Sequence, residues 1–244
     1  MTSTEISPGL VIQGFAPPPN SPFKLSHFKL IAFDMDSTLI NIECIDEIAD
    51  AAGRKAEVAA ITEAAMRGEI TDFKDSLRRR LALLQGVSVA SMEAVYAERL
   101  QINSGAKNLI DTCQSAGVKV LLVSGGFTFF ADRVKARLNI DFARSNLLEV
   151  KDGKLTGQLI TQAWGQICDG EEKRRMVLST CTDLGITPGQ AIAMGDGAND
   201  LPMMQLCADA GGLSVAYHAK PKVREQAMVA INTGGLDRLL EVLK

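Results

Sequence analysis

The stretch FKLIAFDMDSTLIN, residues 28–41, sets an apolar run ending at Phe33 directly against two aspartates, Asp34 and Asp36, with Thr38 close behind. A run such as FKLIAF suits a strand buried on both faces. Two carboxylates at the end of a buried strand repel each other unless something else at that place calls for negative charge. Further strand-like runs follow: VKVLLV opens into SGGFT at Ser124, QAIAM opens into GDGAND at Gly195, and GLSVAY and MVAIN come later. Amphipathic patterns separate them, among them GAKNLIDTCQSAG, EEKRRMVLSTCTDLG and GLDRLLEVLK. Strand–helix alternation of this kind implies right-handed crossovers and a doubly wound, Rossmann-like parallel sheet with helices on both faces.

Two segments depart from the alternation. Residues 46–104 read as consecutive helices (IDEIADAAG, RKAEVAAITEAAMRG, TDFKDSLRRRLALLQG, VASMEAVYAERL) with no strand between them, the pattern of a helical cap inserted after the first strand. LLEVKDGKLTGQLI places KDG between two strand-like runs and predicts a hairpin. Residues 1–26 contain APPPNSP, which favours extended backbone, and are read as an arm in which LVIQGF could add an edge strand. The expected organisation is an arm at 1–26, an α/β core at 27–45 and 105–244, and the cap at 46–104.

Composition narrows the function. The 244 residues are 46% hydrophobic and 23% charged, with a net charge of −3, so no basic field favours nucleic acid or an anionic membrane. No apolar run approaches membrane-spanning length and no basic segment leads into an apolar leader, so a cytoplasmic protein is expected. The five cysteines are scattered without a C-x-x-C pair, which points to reduced thiols, and two histidines are too few for a histidine metal cluster. The partner expected is a small molecule; a homodimer is among the assemblies the sequence permits.

In open parallel sheets ligands bind beyond the carboxyl ends of the strands. Those ends read FDMDST, VSGGFT and MGDGAND. Asp34, Asp36 and Asp196 are oxygen donors that suit a hard cation, Mg²⁺ rather than Zn²⁺, although a single aspartate after a strand is more often a helix N-cap. Ser124, Gly125 and Gly126 precede the helical pattern FTFFADRVKARL, a place where a hydroxyl and free N–H groups hold phosphate or where glycine simply makes a tight turn. Lys173 heads a helix, where an ammonium is locally unfavourable, and is either a surface residue or the counter-charge a phosphate needs. On TDFKDSLRRRLALLQG, at about 100° per residue from Phe73, Leu77 falls near 40°, Leu84 near 20° and Arg80 near −20°. Arg80 is therefore centred on the apolar face, with Arg78 and Arg79 turned away, and either snorkels or meets an anion.

FDMDSTLIN, VSGGFT, Lys173 and MGDGAND, in this order, resemble the four motifs of the haloacid dehalogenase-like phosphohydrolases, a likeness running from about Phe28 onward. Within that family DMDSTLINIECIDEIA, SLRRR and SGGF resemble the helical-cap phosphoserine phosphatases. The resemblance implies that Asp34 is the nucleophile, forming an aspartyl-phosphate, and that Asp36 moves the proton. It implies Mg²⁺ held by Asp34, the backbone carbonyl of Asp36 and Asp196, with Ser124, Gly125, Lys173 and Asn199 on the phosphate. Asp200 would orient Lys173 or a metal-bound water. Arg80 would clamp the substrate carboxylate, Glu43 would take its ammonium, and Phe73 and Met66 would close over it as the insert moves as a lid. The implied reaction is hydrolysis of O-phospho-L-serine, the last step of serine biosynthesis. Two other readings stay open: a phosphatase or phosphotransferase for another small phosphate monoester, and a non-catalytic receiver-like module that accepts phosphate on an aspartate. Asp36 and the helical insert speak against the receiver.

Overall fold

In the computed structural model, which describes residues 3–17, 20–66 and 69–243, β3 (Leu30–Phe33) lies in the middle of a nine-stranded sheet. Its side chains alternate between two cores. Ile31 and Phe33 face one apolar cluster and Leu30 and Ala32 the other, all fully buried, as a strand covered on both faces requires. On one side of β3 stand β4 (Lys119–Phe127), β5 (Phe142–Lys151) and β6 (Lys154–Ile160); on the other stand β7 (Ala191–Gly195), β8 (Leu213–Tyr217) and β9 (Val229–Ile231). From β9 to β5 the strands run parallel; β6 returns antiparallel through a turn whose Asp152 and Gly153 both have left-handed φ, 51° and 71°. The doubly wound sheet expected from the strand–helix alternation is thus present.

Helices cover both faces. α5 (Ala106–Ser115) and α6 (Thr128–Leu138) bury Leu109, Ile110, Phe130 and Val134 in the cluster shared with Phe33. On the opposite face, α7 (Gly170–Asp183), α8 (Leu201–Asp209) and α9 (Pro221–Gln226) bury Val177, Met203, Met204 and Val223 against Leu30 and Ala32. The chain leaves β3, builds outward through β4 to β6, then returns to build the other way from β7. That reversal opens a crevice at the carboxyl end of β3.

Between β3 and α5 lie α1 (Cys44–Ala51), α2 (Lys55–Met66), α3 (Phe73–Ala82) and α4 (Val89–Glu98), with no strand among the described residues of this stretch. The connection between α3 and α4 is fastened to the β5–β6 hairpin by backbone hydrogen bonds: Gly86 N–H donates to Leu155 O (2.8 Å), Leu155 N–H to Val87 O (2.8 Å) and Val89 N–H to Gly153 O (2.9 Å). Gly157, at φ 82°, backs onto α3, where a Cβ would stand 3.1 Å from Leu81 O. A salt bridge at 2.6 Å joins Arg133 of α6 to Glu93 of α4.

The first residues also join the sheet. β1 (Ser3–Ser7) and β2 (Leu10–Gln13) form an antiparallel hairpin, and β2 pairs with β9, Leu10 opposite Ile231 and Ile12 opposite Val229. Leu10 and Ile12 are fully buried, so this part of the segment read as an arm extends the sheet. GLDRLLEVLK, expected to be helical, forms a short 3₁₀ segment, Leu236–Glu241, with Leu236 and Leu239 buried. No helix of the described residues is long and apolar enough to cross a membrane.

Candidate active site

Asp34 stands at the first position after β3, its N–H donating to Met194 O of the neighbouring strand at 2.9 Å. Beyond it the chain makes a wide turn over Met35–Leu39, closed by Ile40 N–H on Met35 O, with Ser37 in the left-handed region at φ 56°. Asn103, on the return from α4, pins this turn from outside by donating its amide to Thr38 O (2.8 Å) and Ile40 O (3.0 Å). The turn thereby holds Asp34 and Asp36 over the same crevice.

Below them lies a buried ionic triad. Lys173, in the first turn of α7, is 0% exposed and its Nζ stands 2.7 Å from Asp34 Oδ1 and 2.7 Å from Asp200 Oδ1. Asp200 is also fully buried, and its second oxygen, Oδ2, accepts from the N–H groups of Asp196 (3.1 Å) and Gly197 (3.0 Å). Room for this carboxylate depends on Gly195, where a Cβ would fall 2.3 Å from Asp200 Oδ2. Burial alone would drive the Lys173 ammonium to give up its proton, but Asp200 and Asp34 outweigh it and hold its pKa above the ordinary lysine value.

Carboxylate oxygens of Asp34, Asp196 and Asp200 lie within 4.8 Å of one another. Such crowding is unfavourable without a cation, and the acids show it. Burial, then the charge of Asp200, pushes Asp34 well above the usual carboxylate range, with Lys173 opposing. Burial with Asp200 and Glu43 pushes Asp196 up to about 7. Burial and Glu43 raise Asp36 to about 8, and its Oδ1 is enclosed without a hydrogen-bond partner. Gly126 makes room for this side chain: a Cβ there would come 2.8 Å from Asp36 Oδ2.

The acids form one end of a cavity of about 420 Å³. Ser124, Gly125 and Gly126 line it, as does Asn199 from the turn after β7. Ser124 and the glycines lie within β4 as it bulges away from β5 between Val123 and Phe127, so they are strand residues rather than a separate turn before α6. Asn146 Nδ2 donates to Gly125 O (2.7 Å), and Gly126 N–H donates to Ser124 Oγ (2.8 Å). The far end is lined by Phe73, Leu77 and Arg80, one stripe of α3, facing Glu43, Ile45 and Asp46 at the head of α1. Phe73 reaches over Gly125, where a Cβ would stand 3.5 Å from its ring. Glu43 is exposed and accepts from the Ser37 hydroxyl at 2.6 Å. Met66 ends α2, and its side chain lies outside the described residues.

Among the lining residues that the reading of the sequence did not single out are Asp46, Thr62 and Lys220. Asp46 carries a weak signal, an acid three positions after Glu43 on the same face of α1. Lys220 follows β8 on a strand-end loop of the kind that supplied the other motifs, and its N–H donates to Asp196 O (3.3 Å).

A family model described as haloacid dehalogenase-like hydrolase matches residues 31–205. Over all 244 residues, and the full length of the relative, the chain is 70% identical to a phosphoserine phosphatase of Polaromonas sp. (strain JS666). It is 66% identical, again over both full lengths, to one of Albidiferax ferrireducens. A solved phosphoserine phosphatase holding a phospho-aspartyl intermediate analogue superposes with a TM-score of 0.79 at 38% identity, covering 89% of this chain and 99% of that one.

Proposed function

The chain belongs to the haloacid dehalogenase-like hydrolases, and from that premise we propose that it hydrolyses O-phospho-L-serine to L-serine and phosphate, the last step of serine biosynthesis, through an aspartyl-phosphate on Asp34. The observation that carries this reading is the shape of the cavity's two ends: a buried ammonium shared by two aspartates at one, and Arg80 with Glu43 at the other. A phosphorylated amino acid carries the three charges these ends complement.

Asp34 is the nucleophile. Lys173 fixes its Oδ1 from below together with the Met35 N–H (2.7 Å), which aims the carboxylate at the cavity. Asp36 is the general acid and base. With its pKa lifted to about 8 it is protonated at neutral pH, as the donor to a departing serine oxygen must be, and it recovers that proton from the water that attacks the acyl-phosphate. Lys173, Ser124, Asn199 and the backbone N–H groups near Gly125 offset the phosphoryl charge.

Family members of this kind are metal-dependent, and the donor set here fits a hard divalent cation, for which we propose Mg²⁺. The ligands are carboxylates from Asp34 and Asp196 and the backbone carbonyl of Asp36, all oxygen. Asp200 spends both oxygens on Lys173 and the Asp196–Gly197 backbone, so its part is to orient these groups. When bound, the cation supplies charge that lets Asp34 and Asp196 remain ionised side by side and draws charge from the transferring phosphoryl group.

Arg80 takes the substrate carboxylate, Glu43 its ammonium, and Phe73 closes over the short side chain. The enzyme works in the cytoplasm. The deciding measurement is phosphate release from L-phosphoserine beside phosphothreonine, phosphotyrosine and sugar phosphates, with Mg²⁺ and with chelator. Phosphoserine is expected to be preferred, Mg²⁺ to be required and Asp34→Asn to be inactive; undiminished release by Asp34→Asn refutes the reading.

A further inference from the structure

Besides the Asp36 oxygen, two side-chain atoms among the described residues are enclosed and make no hydrogen bond, and both belong to walls of the same cavity: Nε of Arg80 and Oδ1 of Asp46. One is a cationic donor and the other an anionic acceptor. Asp46 lies in the first turn of α1 and Arg80 in the last turn of α3. Asp46 heads the charges that act on Arg80, ahead of Glu43, and Arg80 heads those that act on Asp46. Burial works against both ions, lowering the pKa of Arg80 and raising that of Asp46.

Two acids therefore face the clamp, with different surroundings. Glu43 is exposed and engaged by the Ser37 hydroxyl, and it stands nearer the reacting end, where its charge also acts on Asp36 and Asp196. Asp46 exerts no leading influence on the reacting carboxylates; besides Arg80, the charges that act on it are those of Glu47 and Lys55. A guanidinium offers a carboxylate either its side edge, with Nε and one Nη, or its end, with both Nη. Occupying the side edge leaves the end free and fixes the plane of the fork.

We propose that Asp46 is a specificity-determining positioning residue: the two atoms, unpartnered in this structure, meet when substrate is bound, Asp46 taking the Nε edge of Arg80 and so presenting the two terminal Nη groups to the substrate carboxylate. This rests on the reading of Arg80 as the carboxylate clamp for phosphoserine. Asp46 touches no part of the substrate; it sets the geometry with which Arg80 does so, while Glu43 serves the ammonium.

The test is a kinetic cycle of Asp46→Asn, Arg80→Ala and the double variant. KM and kcat are measured with phosphoserine, and inhibition constants are measured for 3-phosphoglycerate, which keeps the carboxylate but has no ammonium, and for phosphoethanolamine, which has the ammonium but no carboxylate. Asp46→Asn is expected to raise KM for phosphoserine and the inhibition constant of 3-phosphoglycerate about tenfold each, to change kcat less than about threefold, and to leave phosphoethanolamine unmoved. The double variant is expected to be no worse than Arg80→Ala. Thermal melting establishes that each variant is folded, and Asp46→Ser replaces Asp46→Asn if the latter melts early. Equal weakening of phosphoethanolamine would make Asp46 an ammonium ligand and overturn the proposal, as would additive losses in the double variant or an unchanged KM. A damaged Arg80→Ala beside a neutral Asp46→Asn sinks this inference alone; a neutral Arg80→Ala sinks the phosphoserine clamp with it.

Discussion

Replacing Lys173 by methionine keeps most of the side-chain volume and removes the charge between Asp34 and Asp200. Both partners stand 2.7 Å from Nζ, and neither the lysine nor Asp200 is exposed. Removing one partner from a buried ionic group costs roughly 3–5 kcal/mol, because the charges left behind remain desolvated. For a chain of this size each kcal/mol shifts Tm by about 2–4 °C, so Lys173→Met is expected to melt about 6–20 °C below the parent at pH 7. The sign of its pH dependence follows from the carboxylates. Without the ammonium the folded-state pKa of Asp34, already raised by burial, moves further above that of the unfolded chain, so the lost stability returns as Asp34 is protonated. The deficit should be greatest near pH 8 and smallest near pH 5, and adding Asp34→Asn should restore part of the Tm at pH 7 by removing one unpaired charge. Melting curves in chelator for the parent, the single and the double variant decide the matter. A deficit under about 2 °C at pH 7, or one equal at pH 5 and pH 8, would refute the account of the triad as an obligatory ion group.

Other expectations concern the crowded acids and the substrate. In chelator the parent protein should itself lose stability from pH 5 to pH 8, because Asp196 and Asp36 titrate at about 7 and about 8 when folded and near 3.8 when unfolded. A carboxyl raised that far contributes at most about 4–6 kcal/mol, present at acid pH and lost above its folded value, and Mg²⁺ should flatten the profile in a Tm series. Gly126→Ala should lower kcat by tenfold or more with little change in Tm, since its methyl would displace the Asp36 carboxyl, and an angstrom of misplacement costs about 10²-fold; steady-state rates with a melt as control check this. Glu43→Gln should raise KM for phosphoserine by at least about tenfold, the worth of one charged hydrogen bond, while sparing phosphates that lack an ammonium; a substrate panel measures it.

Much of this architecture was legible because the relevant signals are local. β3 announces itself by four consecutive buried residues, the β5–β6 hairpin by Asp152 and Gly153, and α3 by a stripe of Phe73, Leu77 and Arg80 whose spacing holds in three dimensions. Features missed or only half seen depend on distant partners. The first strands are held by β9, more than 200 residues along the chain, a pairing that no local pattern encodes. Asp46 looks like any acid in the first turn of a helix until α3 folds opposite it. Ser124 precedes a helix in the sequence, yet β4 continues as far as Phe127 because its bulge still finds Asn146 of β5 to pair with.

The three backbone bonds that tie the α3–α4 connection to the β5–β6 hairpin give the enzyme a calliper. One jaw is the rim of the sheet, with Lys173 and Asp34; the other is α3, with Arg80; the hairpin is the bar that joins them. Sliding α3 along the hairpin would break main-chain bonds, so, on the proposed reading of Arg80, a compound one methylene longer than phosphoserine is expected to bind with either its phosphate or its carboxylate out of place.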